Sequence, residues 1–338
     1  MSYPDLVQPL LDRRDMTFEE AQALMRYFVS GEANDAQIGG ALLALRVKGA
    51  TSSELAGFAS VLRESASSID HDLPNIVDTC GTGGGSPSFN ISTASAVVAC
   101  AAGVRLAKHG NRAVTSKCGS ADILEALGVK IGGEHDDLRK ILEEVGIVFL
   151  FAPQHHPGMR HVGQARRDLG VRTVFNQIGP LANPARARRQ LVGVYEASLL
   201  MPMGEALNEL GTERAILAHG RDGLDEISPC VATDVVRVWE GEVTRLVWTP
   251  QHFGIEPLPA SAISPGDTLE ENAAIFREAI TDPESPRFLA ILPSTAVTIY
   301  IAGIANTLFE SAERAREIVA EGKALAKLEE MAGAGTPR

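Results

Sequence analysis

Ile76-Val77-Asp78-Thr79-Cys80 is a short apolar run that stops in Gly81-Thr82-Gly83-Gly84-Gly85-Ser86, and a helix-like stretch follows over 92–102. A strand that ends in a glycine loop and resumes as a helix is half of a parallel β-α-β unit. It commits the chain to helices packed on a sheet. Short apolar runs at Ile147–Phe151, 191–195, 215–218 and 235–239 alternate with helical stretches over 120–127, 138–145 and 201–210. This alternation predicts an α/β domain with a central, largely parallel sheet flanked by helices.

The first seventy residues carry a different pattern. Thr17 with Glu20, and Thr51 with Glu54, make capping boxes. Phe18, Ala21, Leu24, Met25 and Phe28 fall at helical spacing, as do Leu55, Phe58, Ala59 and Leu62. Ile38, Ala41, Leu42 and Leu45 mark a third amphipathic helix. The division expected is a small all-helical domain over 1–71, then the α/β domain. Residues 310–338 read as one charged helix with a frayed end.

The chain has 338 residues and a net charge of −12. That balance argues against non-specific binding of nucleic acid or an anionic membrane, which needs clustered Lys and Arg. The most apolar stretch, 288–309, contains Pro293, Ser294, Thr295 and Thr298, and reads as buried elements rather than a membrane span. The opening residues lack a basic start followed by an apolar core, so no secretory leader is expected. Cys80, Cys100, Cys118 and Cys230 form no paired motif, and scattered thiols suit a reducing compartment such as the cytoplasm.

The glycine loop lets backbone N–H groups approach an anion closely, and the next helix N-terminus adds positive potential. A phosphate or a tight turn both fit. A dinucleotide fingerprint is excluded, because position 86 is serine and no acid stands some twenty residues beyond the loop. A Walker loop is excluded too, since Pro87-Ser88 stand where Gly-Lys is required. Residues 108–117 pack three cations with amides and hydroxyls behind an apolar run at 104–107, read as a strand. On an acidic chain this is a second candidate anion site. Asp225-Glu226 can hold Mg²⁺ or form a surface turn. His155, His156 and His161 invite a metal, but 156 and 161 are five apart, off one helical face, so packing is preferred. One of Arg166 and Arg167 is expected to face inward as a carboxylate partner.

Several segments together resemble the anthranilate phosphoribosyltransferases. They are Asp78 to Gly84, Asn90-Ile91-Ser92-Thr93, Lys108 to Ser116, Ser120 to Gly128, Arg166 to Pro184, and Asp225-Glu226-Ile227-Ser228. The similarity covers nearly the whole chain. It implies a nucleoside phosphorylase-like fold, and a helical domain with a return segment near 165–190. The α/β domain is then 72–164 plus 191–338. It also implies a homodimer joined through the helical domains.

The implied reaction joins anthranilate to 5-phosphoribosyl 1-diphosphate with release of diphosphate, in tryptophan biosynthesis. By resemblance the phosphoribosyl diphosphate is held by Gly81, Gly84, Ser88, Asn90, Ile91, Ser92, Thr93, Lys108, His109, Gly110, Asn111, Arg112, Ala113, Val114, Thr115, Ser116 and Ser120. Asn111 and Arg166 match anthranilate positions, with Gly81 nearby and His109, His156 and Pro180 as pocket walls. Ser92, Asp225 and Glu226 match Mg²⁺ ligands. No acid or base is assigned, since the amine is already a nucleophile. Two departures stand out. Gly85-Ser86 replace the family's customary Asp-Gly in a loop one residue shorter, and Leu292 to Ala296 replaces an Asn-Ala-Ala run. Gln177 is also polar where the family is commonly apolar. A related transferase or phosphorylase with another acceptor stays open, as does a non-enzymatic nucleic-acid-binding relative. The latter should be basic along one groove.

Overall fold

The computed structural model describes residues 2–112 and 118–334. Of the predicted donor-binding residues, Ala113, Val114, Thr115 and Ser116 lie outside the described residues.

Four helices open the chain: α1 (Tyr3–Leu11), α2 (Phe18–Val29), α3 (Asp35–Lys48) and α4 (Ser52–Ser65). Thr17 and Thr51 cap α2 and α4 as expected, and Asn34 caps α3 in the same way with Gln37. Each cap satisfies backbone donors that a helix start leaves unpaired. Leu24, Met25, Phe28, Ile38, Leu42, Leu55 and Phe58 fill the space between them.

The α/β part follows as β1 (Val77–Gly81), α5 (Ile91–Ala101), β2 (Leu106–Gly110), α6 (Ser120–Ala126), α7 (His135–Glu144) and β3 (Ile147–Phe151). Next come α8 (Ala152–His155), α9 (Arg160–Leu169), α10 (Phe175–Ile178), β4 (Arg189–Gly193), α11 (Leu200–Glu209), β5 (Arg214–Gly220), β6 (Thr233–Trp239) and β7 (Glu242–Trp248). The chain ends in α12 (Leu269–Thr281), α13 (Pro286–Ala302), α14 (Leu308–Ala320) and α15 (Lys323–Gly333).

The sheet order is β3-β2-β1-β4-β5-β6-β7. The first five strands are parallel, and β6 and β7 are antiparallel additions. The chain builds outward from β1 to β3, then returns to β4 on the other side of β1. The gap between β1 and β4 is therefore the switch point, where ligands bind at the carboxyl ends of strands. Gly81 and Gly193 face each other there. Strand residues alternate between two cores. Val77, Leu106, Leu191 and Ile216 pack on α5 and the C-terminal helices, whereas Cys80, Val192, Ala215 and Leu217 pack on α11 and the helical bundle. Among the described residues no helix is long and apolar enough to cross a membrane.

Two expectations need correction. β2 begins at Leu106 rather than 104, because Val104 N–H bonds back to Ala99 O and closes the end of α5. Lys108 and His109 are thus inside the sheet, not beyond it. The C-terminal helix is two helices, broken at Gly322 with φ +72°. Pro293 lies mid-helix, since α13 starts at Pro286 behind the capping Ser285. Strand β7 was not foreseen. It is reached by a two-residue turn at Glu240-Gly241, both at positive φ, which suits a hairpin.

Candidate active site

The glycine loop leaves β1 and lies on the loop that follows β5. Ser86 N–H donates to Gly223 O and its hydroxyl to Asp222 O, both at 2.8 Å. A side chain on Gly85 would come within 2.6 Å of the Asp225 backbone nitrogen, and one on Gly193 within 1.7 Å of Asp225 O. The loop therefore passes Asp225 with no room for a Cβ at either position. The acid expected by resemblance at position 85 has no space on this path. Arg172 Nη2 bonds Gly84 O at 2.6 Å, and its guanidinium lies 4.1 Å from the centre of the Tyr195 ring.

Asp225 and Glu226 come to the same place. Burial raises the Asp225 carboxyl, opposed by Arg172 and loop backbone donors. Burial and the neighbouring Asp225 push Glu226 up to about 7, against the pull of Lys108, Ser294 and Ser92. Ser92, in the first turn of α5, accepts from Lys108 Nζ at 3.3 Å. Lys108 Nζ also bonds Thr79 O and Thr79 Oγ1. Burial lowers the Lys108 ammonium, while Asp78 supports its charge.

Beside them, Asn90 Nδ2 donates to Cys118 O at 3.1 Å and Thr93 Oγ1 to Ser120 Oγ at 3.1 Å. These bonds tie the start of α5 to the start of α6. Ile91 is buried in the core, and Ser88 is half-buried on the loop before α5. Gly110 ends β2, where a Cβ would strike the Phe149 ring at 2.8 Å. Asn111 is exposed and accepts Arg112 N–H at 2.8 Å. Arg112 is exposed too, but its guanidinium is engaged by Asp122 at 3.1 Å and Glu125 at 2.5 Å. Of the foreseen basic segment, then, Lys108 is internally bonded and Arg112 is paired on the surface.

A second group lines the adjoining wall. His109 and His156 are both buried, with ring centroids 5.2 Å apart, edge to face. Burial holds His109 at about 3 and His156 at about 4, so both are neutral. His109 Nε2 and both ring nitrogens of His156 have no hydrogen-bond partner among the described residues. Pro180 is buried, and its carbonyl accepts from Gln190 Nε2 at 2.8 Å. No three-residue metal cluster of His, Cys, Asp or Glu occurs among the described residues.

Arg166 is half-buried and stacks 5.2 Å from the Phe175 ring centre. It makes no ion pair with a protein carboxylate among the described residues, whereas Arg167 is exposed and bonds Gln164. Gln177 is buried with Oε1 unpartnered. Sequence reasoning missed Asp78, which is wholly buried and accepts His109 N–H at 3.0 Å. Its signal was an acid inside an apolar strand. It also missed Arg172, Gly193 and Ser294, which only tertiary contacts reveal.

The same arrangement of domains is known elsewhere. A family model described as the glycosyl transferase family, a/b domain, matches residues 73–325, and its helical bundle domain matches 4–66. The chain belongs to this glycosyl transferase family. It is 43% identical to the anthranilate phosphoribosyltransferase of Myxococcus xanthus over 97% of each chain. The Thermus thermophilus anthranilate phosphoribosyltransferase superposes with a TM-score of 0.92 at 39% identity, covering 98% of this chain and 99% of that one. The Saccharomyces cerevisiae enzyme in complex with PRPP and Mg gives 0.87 at 28% identity, over 98% and 97%.

Proposed function

We propose that this chain is an Mg²⁺-dependent anthranilate phosphoribosyltransferase of tryptophan biosynthesis, joining the amine of anthranilate to 5-phosphoribosyl 1-diphosphate. The observation that carries it is the convergence of the glycine loop, Ser92, Lys108 and the Asp225-Glu226 pair at the switch point of the sheet. The relatives' shared activity over the full chain length supports the same reading.

The donor lies along Gly81, Gly84, Asn90 to Thr93, Lys108 and the chain beyond it, with Ser120 at its edge. Glycine backbone and two helix starts offer N–H groups to its phosphates. Hard oxygen donors from two carboxylates and one hydroxyl fit Mg²⁺, which keeps waters and substrate oxygens for its remaining positions. The carboxyl of Glu226, raised to about 7 by burial and Asp225, is that of an acid short of positive charge, which a cation would supply. When bound, Mg²⁺ neutralises charge on the departing diphosphate. Arg166, free of a protein acid, takes the anthranilate carboxylate, and Asn111 helps set its orientation. The neutral edges of His109 and His156, with Pro180, wall the ring. Positioning the amine against the anomeric carbon supplies the rate, because charge develops on the ribose as in glycoside cleavage.

The division into 1–71 with a return near 165–190, and 72–164 with 191–338, is part of this reading. It is supported by the packing of α9 on α2 and α3 and of α10 on α4. A cytoplasmic homodimer is also proposed. Leu11, Leu43 and Val47 leave apolar surface exposed on α1 and α3.

Loss of anthranilate fluorescence on mixing protein, Mg²⁺, donor and anthranilate tests the activity. Loss that needs all components and vanishes in Asp225→Ala/Glu226→Ala upholds it. Donor binding by calorimetry without turnover points to another acceptor. Absence of donor binding refutes the assignment.

A further inference from the structure

We propose that Ser294 is a positioning residue that fixes the carboxylate of Glu226 for its metal. The inference rests on the assignment of Glu226 made above. Ser294 Oγ donates to Glu226 Oε2 at 3.2 Å. Ser294 has no exposed surface and sits near the middle of α13, a helix buried along most of its length.

The direction of this hydroxyl is the telling point. A buried Ser or Thr inside a helix ordinarily donates to the carbonyl four residues back. Two neighbours do so: Thr295 Oγ1 bonds Ile291 O at 2.9 Å, and Thr298 Oγ1 bonds Ser294 O at 2.8 Å. Ser294 instead reaches out of its helix to the loop after β5. Ser92, on α5, draws the Glu226 carboxyl down together with Ser294, and it is itself held by Lys108 Nζ at 3.3 Å. The hydroxyl of Ser294 thus ties Glu226 to α13. A hydroxyl uses one of the carboxylate's several lone-pair sites, leaving others for a hard cation. Outer partners of this kind set ligand orientation, and their loss commonly costs 10–100-fold in metal affinity.

The test is a four-protein cycle read by binding of Mn²⁺ alone, followed by electron paramagnetic resonance without substrate. The proteins are wild type, Ser294→Ala, Glu226→Gln and the double variant. Alanine removes one oxygen and favours helix, so α13 is kept. Ser294→Cys, of similar shape with a weak donor, is expected to fall between wild type and alanine. Ser294→Ala should weaken Mn²⁺ about tenfold in the wild-type background, and add nothing to Glu226→Gln. Unchanged affinity in Ser294→Ala, or an equal loss in both backgrounds, overturns the role of Ser294 while leaving the metal site standing. Unchanged affinity in Glu226→Gln overturns the metal assignment itself, and this inference with it.

Discussion

Arg166 has a cation–π contact and no acidic partner among the described residues. Its proposed role makes Arg166→Ala a one-sided variant. The KM for anthranilate should rise about 10–100-fold, the loss of a charged hydrogen bond, while the KM for the donor changes little. Steady-state kinetics with each substrate varied will show it, and equal effects would remove the role. The two buried imidazoles make a second prediction. Burial lowers His109 to about 3 and His156 to about 4, while unfolded histidine titrates near 6.5. Below pH 6.5 the unfolded chain binds more protons than the folded one. Stability therefore falls as pH drops toward about 4, by about 1.4 kcal/mol per pH unit for each histidine. Urea midpoints from pH 7 to 5 should show a shallower slope in His109→Gln/His156→Gln than in wild type. At this scale Ser92, Lys108 and the acid pair were legible, because motifs carry them. Ser294 was not, because nothing in a run of small polar residues says which hydroxyl leaves its helix.

Among elements, the glycine loop is the most constrained. A methyl group at position 85 would meet the Asp225 nitrogen and Oδ1 at 2.6 Å and Gly223 O at 2.8 Å, largely backbone that cannot step aside alone. Gly85→Ala is expected to weaken donor binding at least tenfold, a displacement of the loop being enough to misplace its donors, while far-UV dichroism stays unchanged. Calorimetry with the donor checks this, and wild-type affinity would show that the loop has another path. The alternation of strands and helices was readable, since parallel strands buried on both faces leave apolar runs. Strand β7 was not, because its residues are largely exposed or half-exposed and give no such run. The start of β2 was misread for a reason of capping: Val104 is apolar but belongs to the end of α5.

For the molecule as a whole, the exposed Leu43 and Val47 on α3 bear on assembly. Light scattering on the wild type should give twice the chain mass, and Leu43→Asp/Val47→Asp should give the monomer with its melting temperature nearly unchanged. A monomeric wild type would discard the proposed dimer. The two-part architecture was legible from the change in periodicity after residue 71. The sharing of one core between α1–α4 and residues 162–182 was not derivable from periodicity, because it pairs segments some hundred residues apart. That sharing has a consequence for biogenesis. As the chain leaves the ribosome, α1 to α4 emerge complete but lack Val162, Ala165, Ile178 and Leu181. At 5–20 residues per second the missing pieces arrive on the order of ten seconds later. Through that interval an apolar face stands open on the nascent chain, so aggregation during synthesis should start from the N-terminal bundle.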